Sequence, residues 1–541
     1  MKTDSPPKSF HDDEKGASEV LEDAREIQPQ HSLSNPMPTQ DVTRRMILFS
    51  LFIALAGWVF NFDLGFGGTV LQMPAYRKVF GKCVPRTNRT TGVTAVVCSQ
   101  TALQQGLVSL TLIFVALGGL VSGLVGSLFG RRGTIQTGAF LAGAGAAGML
   151  GTSGNLTNYL ICKCIGGVGL GLLIAAAGVY GAECTVARYR GMLLALYNIG
   201  LGMGFAASSA VCWGSSTYVT SNLSWQIPII CQIPLSVILG LGVMAFPESP
   251  RWLLTKGRDE AAKKSFAWLY AKDPDHPDIL LQIADVQNHI QLERSSQQKT
   301  RWHEIYQGVN FRRTLVSGLI MVGLAITGSK FTGPYGAIFL AGVGVSNPFL
   351  NTFIISLMML AGSVGGPWLV EYGGRRFSML VGYTIMMICM LIIGIVGSTL
   401  GQTTSRARII LLVFLFIWSF VFGLFIGTSV WISAPEQHNL RLRTYGQAST
   451  VWIYQVFGFA SSFWAPYQIN PRYGNMGMSV GYFYAGVTFA MLVLTYFLVP
   501  ETSRLTLEQI DDYYNSGRPA WKTSTRRNKR IAAGLESAND S

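Results

Sequence analysis

Apolar residues run along this chain in long unbroken blocks, with polar residues gathered between them. A helix that crosses the roughly 30 Å hydrocarbon core of a bilayer needs about 20 mostly apolar residues. Twelve blocks reach that length. Six precede Glu248, at about 46–66, 104–126, 133–153, 157–179, 192–214 and 226–246. Six follow Arg313, at about 314–341, 348–370, 377–398, 407–433, 447–467 and 478–498. A membrane barrel shows short alternating segments instead, so the pattern predicts an all-α integral membrane protein with twelve transmembrane helices. It divides into a disordered N-terminal tail (1–45), a six-helix bundle (46–247), a helical linker (248–313), a second six-helix bundle (314–498) and a C-terminal tail (499–541). A polar tail ahead of several spans argues against a cleavable signal peptide.

Composition agrees. Of 541 residues, 49% are hydrophobic and 13% charged, against about 25% charged in soluble domains. The two tails and the linker hold 24 of the 42 basic and 24 of the 28 acidic side chains. The bundles keep four acids, Asp63, Glu183, Glu371 and Glu436, too few charges to solvate a water-soluble surface. The formal charge of +14 is not gathered on one soluble module, which excludes a nucleic-acid partner. The 61 glycines suit close packing of membrane helices.

Basic residues set the orientation. With both termini and the linker in the cytosol, 32 basic residues lie inside and eight outside. The first long loop is then external and carries a glycosylation sequon at Asn88; two more, at Asn155 and Asn222, sit in other external loops. Cys83 and Cys98 flank Asn88, and a disulfide or two free thiols are both compatible with that placing. The other six cysteines lie in or beside spans as packing residues, and no metal-ligand cluster is evident.

The two halves repeat each other. Gly130-Arg131-Arg132 reappears as Gly374-Arg375-Arg376, and Glu183 with Arg190 reappears as Glu436 with Arg443. Pro247-Glu248-Ser249 closes the sixth span as Pro500-Glu501-Thr502 closes the twelfth. Parallel repeats imply two bundles facing each other across a site near the midplane. All these charges fall at the cytosolic ends of spans. One reading makes them topology signals; the other makes Glu183, Glu371 and Glu436 pair with the arginines between the bundles as a cytosolic gate. The gate set is Arg131, Arg132, Glu183, Arg190, Glu248, Glu371, Arg375, Arg376, Glu436 and Arg443.

These segments, with "FNFDLGFGG" (60–68), "FPESPRWLLTKGR" (246–258) and "VPETSRLTLEQID" (499–511), resemble the sugar porters of the major facilitator superfamily from Arg45 to Asp512. The stretch "NLRLRTYGQAS" is most similar to the fungal sugar and hexose permeases. The resemblance implies the major facilitator fold, a cytosolic helical linker, and alternating-access transport of sugars or polyols. Such a chain is expected to work as a monomer in the plasma membrane, with a small-molecule substrate, protons and the lipid bilayer as its partners, and no cofactor.

Asp63 is the sole acid well inside a span, and an intramembrane ionisable residue is a functional hypothesis by default. Lys163 is its candidate partner, where the resemblance associates an arginine with proton coupling; a static pair fixing helix packing is the alternative. The histidines all lie outside the spans, which speaks against a histidine relay. By the same resemblance the substrate site falls on Asn198, Lys330, Trp431, Tyr454 and Gln455. Leu324 and Ala325 stand where sugar porters carry two glutamines, which favours a less hydroxylated or anionic substrate; Lys330 snorkelling to the interface is the competing reading. The sequence therefore supports a proton-coupled symporter of a sugar or sugar-like molecule. A carrier of an organic acid or secondary metabolite, including by efflux, and a non-transporting nutrient receptor are the alternatives. No nucleophile–base constellation marks an enzyme.

Overall fold

The computed structural model describes residues 43–87, 94–152, 154–185, 190–297, 301–401, 404–439 and 441–532. The N-terminal tail through residue 42 and Asn88 lie outside the described residues. Span 1 is Arg44–Thr69, capped by Thr43, whose hydroxyl accepts the Met46 N–H at 3.2 Å. Spans 2 and 3 form one continuous helical stretch, Ala102–Leu150, bent at Gly130. Spans 4, 5 and 6 are Leu156–Cys184, Arg190–Tyr218 and Leu223–Gly242. In the second half span 8 is Pro348–Gly373, span 9 Arg375–Thr399, span 11 Arg443–Ile469 and span 12 Val480–Leu498.

Spans 7 and 10 depart from the continuous helices that the hydrophobic pattern predicts. Span 7 is three pieces, Gly308–Ile326, Ser329–Thr332 and Gly336–Gly342. Gly328 takes a left-handed φ of 112°, which a side chain disfavours, and Pro334 brings no backbone donor to the second interruption. Such breaks at membrane depth are tolerated where protein or a cavity surrounds them. Span 10 runs Ser405–Val421, a π-turn Phe422–Gly427, and Thr428–Glu436.

The halves pack alike. Span 1 lies on span 5 as span 7 lies on span 11; spans 2 and 4 pair as 8 and 10 do; spans 3 and 6 pair as 9 and 12 do. The bundles meet where span 5 packs on span 8 and span 2 on span 11. Contacts across this seam gather away from the linker. The Tyr335 hydroxyl donates to the Gln105 carbonyl at 3.1 Å, and Trp213 stacks on Phe353 with ring centroids 5.9 Å apart. On that same side Lys82–Thr87 and Thr94–Ser99 form an antiparallel hairpin with Cys83 opposite Cys98, and the two form a disulfide.

At the linker end, one carboxylate anchors each bundle. Glu248 accepts the backbone N–H groups of Arg131 and Arg132 at 2.9 and 3.2 Å, and Glu501 accepts those of Arg375 and Arg376 at 3.0 and 3.1 Å. An anion there satisfies the unpaired donors and positive dipole of a helix start. The turn bends at Gly130 and Gly374, φ 79° and 99°, where a Cβ would run into the same carboxylate. Arg131 grips Glu183 through two bonds of 2.9 and 2.8 Å, and Arg375 meets Glu436 at 3.2 Å. The Ser249 and Thr502 hydroxyls each donate to that glutamate at 2.6 Å. Arg132 and Arg376 donate to the Met244 and Tyr496 carbonyls. The expectation of pairing between the bundles is thereby corrected. These pairs close inside each bundle, because each glutamate sits over the turn of its own half. Glu371, largely exposed at the end of span 8, lies 3.9 Å from Arg375 at the start of span 9, within the same bundle.

The linker folds as helices Pro250–Thr255, Asp259–Tyr270 and Pro277–Gln297. Its apolar face, including Leu253, Phe266 and Ile279, buries Met46 of span 1. The C-terminal segment also docks on its bundle. Asp511 pairs with Arg313, Tyr514 donates to Gln437 at 2.6 Å, and Asn528 donates to the Glu501 and Ser503 carbonyls. His438, just past span 10, is buried beneath this layer; burial and the nearby Arg313 and Arg443 push its pKa down to about 4.

Removing the carboxylate at position 501 leaves helix-start N–H groups without an acceptor, a cost of about 1–3 kcal/mol. Glu501→Ala is therefore expected to lower the unfolding temperature of the purified protein. Glu371→Ala, at an exposed pair worth about 0–1 kcal/mol, is expected to leave it within error. Thermal unfolding in detergent checks both.

Candidate functional site

An open cavity lies between the bundles. Four of the five residues assigned to the substrate site line it: Asn198, Lys330, Trp431 and Tyr454. They come from spans 5, 7, 10 and 11, so both halves contribute. Trp431 and Tyr454 meet edge to face at 5.6 Å, and the Lys330 ammonium lies 5.1 Å from the Tyr454 ring centroid. Lys330 thus turns into the cavity rather than snorkelling to the interface. Asn198 reaches across the seam to the Thr428 hydroxyl at 3.4 Å. Gln455 is the correction. It is buried, 2% exposed, and is not part of the cavity lining. On an α-helix each step turns about 100°, so the residue after Tyr454 leaves the face that Tyr454 occupies.

The site also holds residues that the sequence reading passed over. Asn61 lines the cavity two positions before Asp63; its amide donates to the Leu201 carbonyl at 2.9 Å, which leaves its own oxygen as an acceptor. A lone asparagine in an apolar span was the available signal. Ser363, Ser419 and Ser462 add hydroxyls, and Trp418 forms part of the wall. Leu324 does face the cavity, while Ala325 is buried outside its lining.

Asp63 and Lys163 meet as expected. The Lys163 ammonium lies 3.1 Å from Asp63 Oδ2, with both side chains buried, and 4.8 Å from the Phe66 ring centroid. Gly67 leaves room for it, since a Cβ there would stand 3.1 Å from the ammonium. The pair lines a smaller cavity that shares Leu64, Leu112, Pro334 and Ser462 with the main one. The broken part of span 7 therefore forms a common wall between the ion pair and the larger space.

The remaining site expectations divide. Among the expected gate residues, Arg190 begins span 5 and Arg443 begins span 11; the Arg190 side chain is outside the described residues. Asn222 is exposed immediately before span 6, with Ser224 of its sequon already buried in the helix.

Two facing six-helix bundles with a shared central cavity and a broken helix define a membrane protein of the major facilitator fold. The chain belongs to the family described as "Sugar (and other) transporter", whose model matches residues 49–514. It is similar to the high glucose sensor RGT2 of Saccharomyces cerevisiae, 28% identical over 92% of this chain and 64% of that sensor. It thus spans less than two thirds of the sensor's length. It is also similar to the high-affinity fructose transporter ght6 of Schizosaccharomyces pombe, 26% identical over 88% of each chain. Among solved structures, the partially occluded inward-open conformation of the xylose transporter XylE from E. coli matches with a TM-score of 0.69. That match has 18% identity and covers 85% of this chain and 99% of that one.

Breaking a buried ion pair from one side leaves an uncompensated charge, which costs about 3–5 kcal/mol, whereas replacing both partners is often nearly neutral. Lys163→Met alone is expected to destabilise the protein by that order. Asp63→Asn combined with Lys163→Met is expected to recover most of the loss. A double-mutant cycle on the unfolding temperature measures the coupling.

Proposed function

We propose that this protein is a proton-coupled secondary transporter that carries a sugar or sugar-like small polar molecule by alternating access. Its termini and linker face the cytosol, and the disulfide-bonded hairpin faces outside, in the plasma membrane. The observation that carries the reading is the buried Asp63–Lys163 pair, which shares a wall with the main cavity at the break in span 7. A rearrangement of Pro334 as the substrate moves would disturb both cavities at once. That is the linkage uphill transport needs, because a ligand shifts a conformational equilibrium only through differential affinity.

Membership in the transporter family supports transport, and the likeness to ght6 supports a sugar-like substrate. Contacts across the seam on the hairpin side, together with charge pairs that close inside each bundle, support a state that opens towards the linker. The repeated geometry around Glu248 and Glu501 would then keep each bundle stiff while the two rock past each other. The likeness to RGT2, named as a sensor, favours a second reading in which the substrate is bound and not moved. Net flux separates the two.

Asp63→Asn mimics the protonated acid and cannot release its proton. In proteoliposomes the variant is expected to retain substrate exchange between equilibrated pools and to lose accumulation driven by a pH gradient. Accumulation equal to wild type would make the pair structural. Carrier-mediated flux absent from the wild type for every sugar and sugar acid tested would favour the sensor.

A further inference from the structure

Among the described residues Lys330 is the one charged side chain lining the main cavity, and no acid lines it. No ion pair joins it to a described residue. The bundle acids are all engaged elsewhere: Asp63 by Lys163, Glu183 by Arg131, and Glu371 and Glu436 by Arg375. The nearest compensation for its ammonium is the face of Tyr454, 5.1 Å from the ring centroid. The cavity therefore carries one positive charge that no side chain of its lining balances.

We propose that the missing charge is the substrate's, and that Lys330 makes the site selective for small hydroxylated carboxylates over neutral sugars. This rests on the transport reading above and narrows its substrate class. The geometry gives each part of such a molecule a partner. The carboxylate meets the Lys330 ammonium on the short turn Ser329–Thr332, held between Gly328 and Gly333. Hydroxyls meet the free oxygen of Asn61 and the side chains of Asn198, Ser363, Ser419 and Ser462. An apolar face of the substrate rests against Trp431 and Leu324. A neutral hexose fills the hydroxyl positions and leaves the ammonium unpaired. Leu324 also offers it no amide to replace the bonds it loses to water, and a site with unmet polar groups discriminates against the ligand that leaves them unmet. Lys330 lies on the interrupted segment of span 7 that also borders the Asp63–Lys163 cavity through Pro334, so occupancy by a carboxylate bears on the element shared by both sites.

The test uses the full chain in proteoliposomes with matched probes: D-glucuronate against D-glucose, and D-gluconate against sorbitol. Binding is read from tryptophan fluorescence and movement from counterflow. Wild type is expected to prefer each acid over its neutral partner at least tenfold. Lys330→Met is expected to lower the binding of each acid at least tenfold and so to lose that preference, and Lys330→Arg to keep it. A normal unfolding temperature for Lys330→Met excludes misfolding, and Lys330→Arg carries the test if that variant is unstable. Preference for the neutral partner, an unchanged preference in Lys330→Met, or binding of neither acid overturns the proposal. Lys330-dependent binding without counterflow upholds the recognition and overturns transport; counterflow of glucose without acid preference does the reverse.

Discussion

In each half of this protein a single carboxylate, Glu248 or Glu501, holds the start of the third helix of its bundle by the backbone. The bond solves a problem that a membrane helix cannot avoid: the first turn has donors without acceptors, and hydrocarbon offers none. It also fixes the bend at Gly130 or Gly374, and with it the direction in which the next arginine projects. Arg131 and Arg375 then reach back to Glu183 and Glu436, so the third and fourth spans of each bundle and the end of its sixth are tied to one point. The same arrangement built twice, from the same residue types at matching places, makes each bundle a stiff unit.

In the proposed alternating access, movement would then fall on the seam and on span 7. A charge pair that crosses between the bundles must break when they part, at a cost of desolvation and re-pairing. Pairs that close inside a bundle travel with it. The breaks around Gly328 and Pro334 lie where the seam, the main cavity and the ion-pair cavity meet. Irregular backbone there has a physical justification, since it faces cavities and protein rather than lipid. The close packing of span pairs has the same origin as their glycine content. Gly171 and Gly423 sit so near the carbonyls of Val115 and Met359 that no side chain fits, and these are equivalent contacts of the two halves.

The cavity shows how charge is rationed in such a setting. Asp63 and Lys163 neutralise each other within 3.1 Å, leaving their small cavity without net charge. Lys330 is placed in the larger space with an aromatic face and no acid. Apolar walls lower the local dielectric and strengthen every interaction that a bound molecule makes with it. On the proposed reading, selectivity depends on a charge as well as on hydroxyl-reading amides.

By itself the sequence determined the number of spans, the duplication and the positions of the charged turns. Hydrophobic length, composition and local motifs are properties of contiguous residues, and a bilayer imposes them one segment at a time. It also marked Asp63 and Lys163, because an ion in an apolar run stands out wherever its partner lies. The tertiary structure decided which residues meet. Glu183 and Arg131 are 52 positions apart, and only helix packing shows that they belong to one bundle rather than bridging two. Tyr454 and Gln455 are neighbours in sequence, yet helix rotation gives the cavity to one and the protein interior to the other. Asn61 becomes part of the site because span 5 takes its amide and leaves its oxygen. Those outcomes depend on the distance and facing of helices far apart in the chain, which no local pattern encodes.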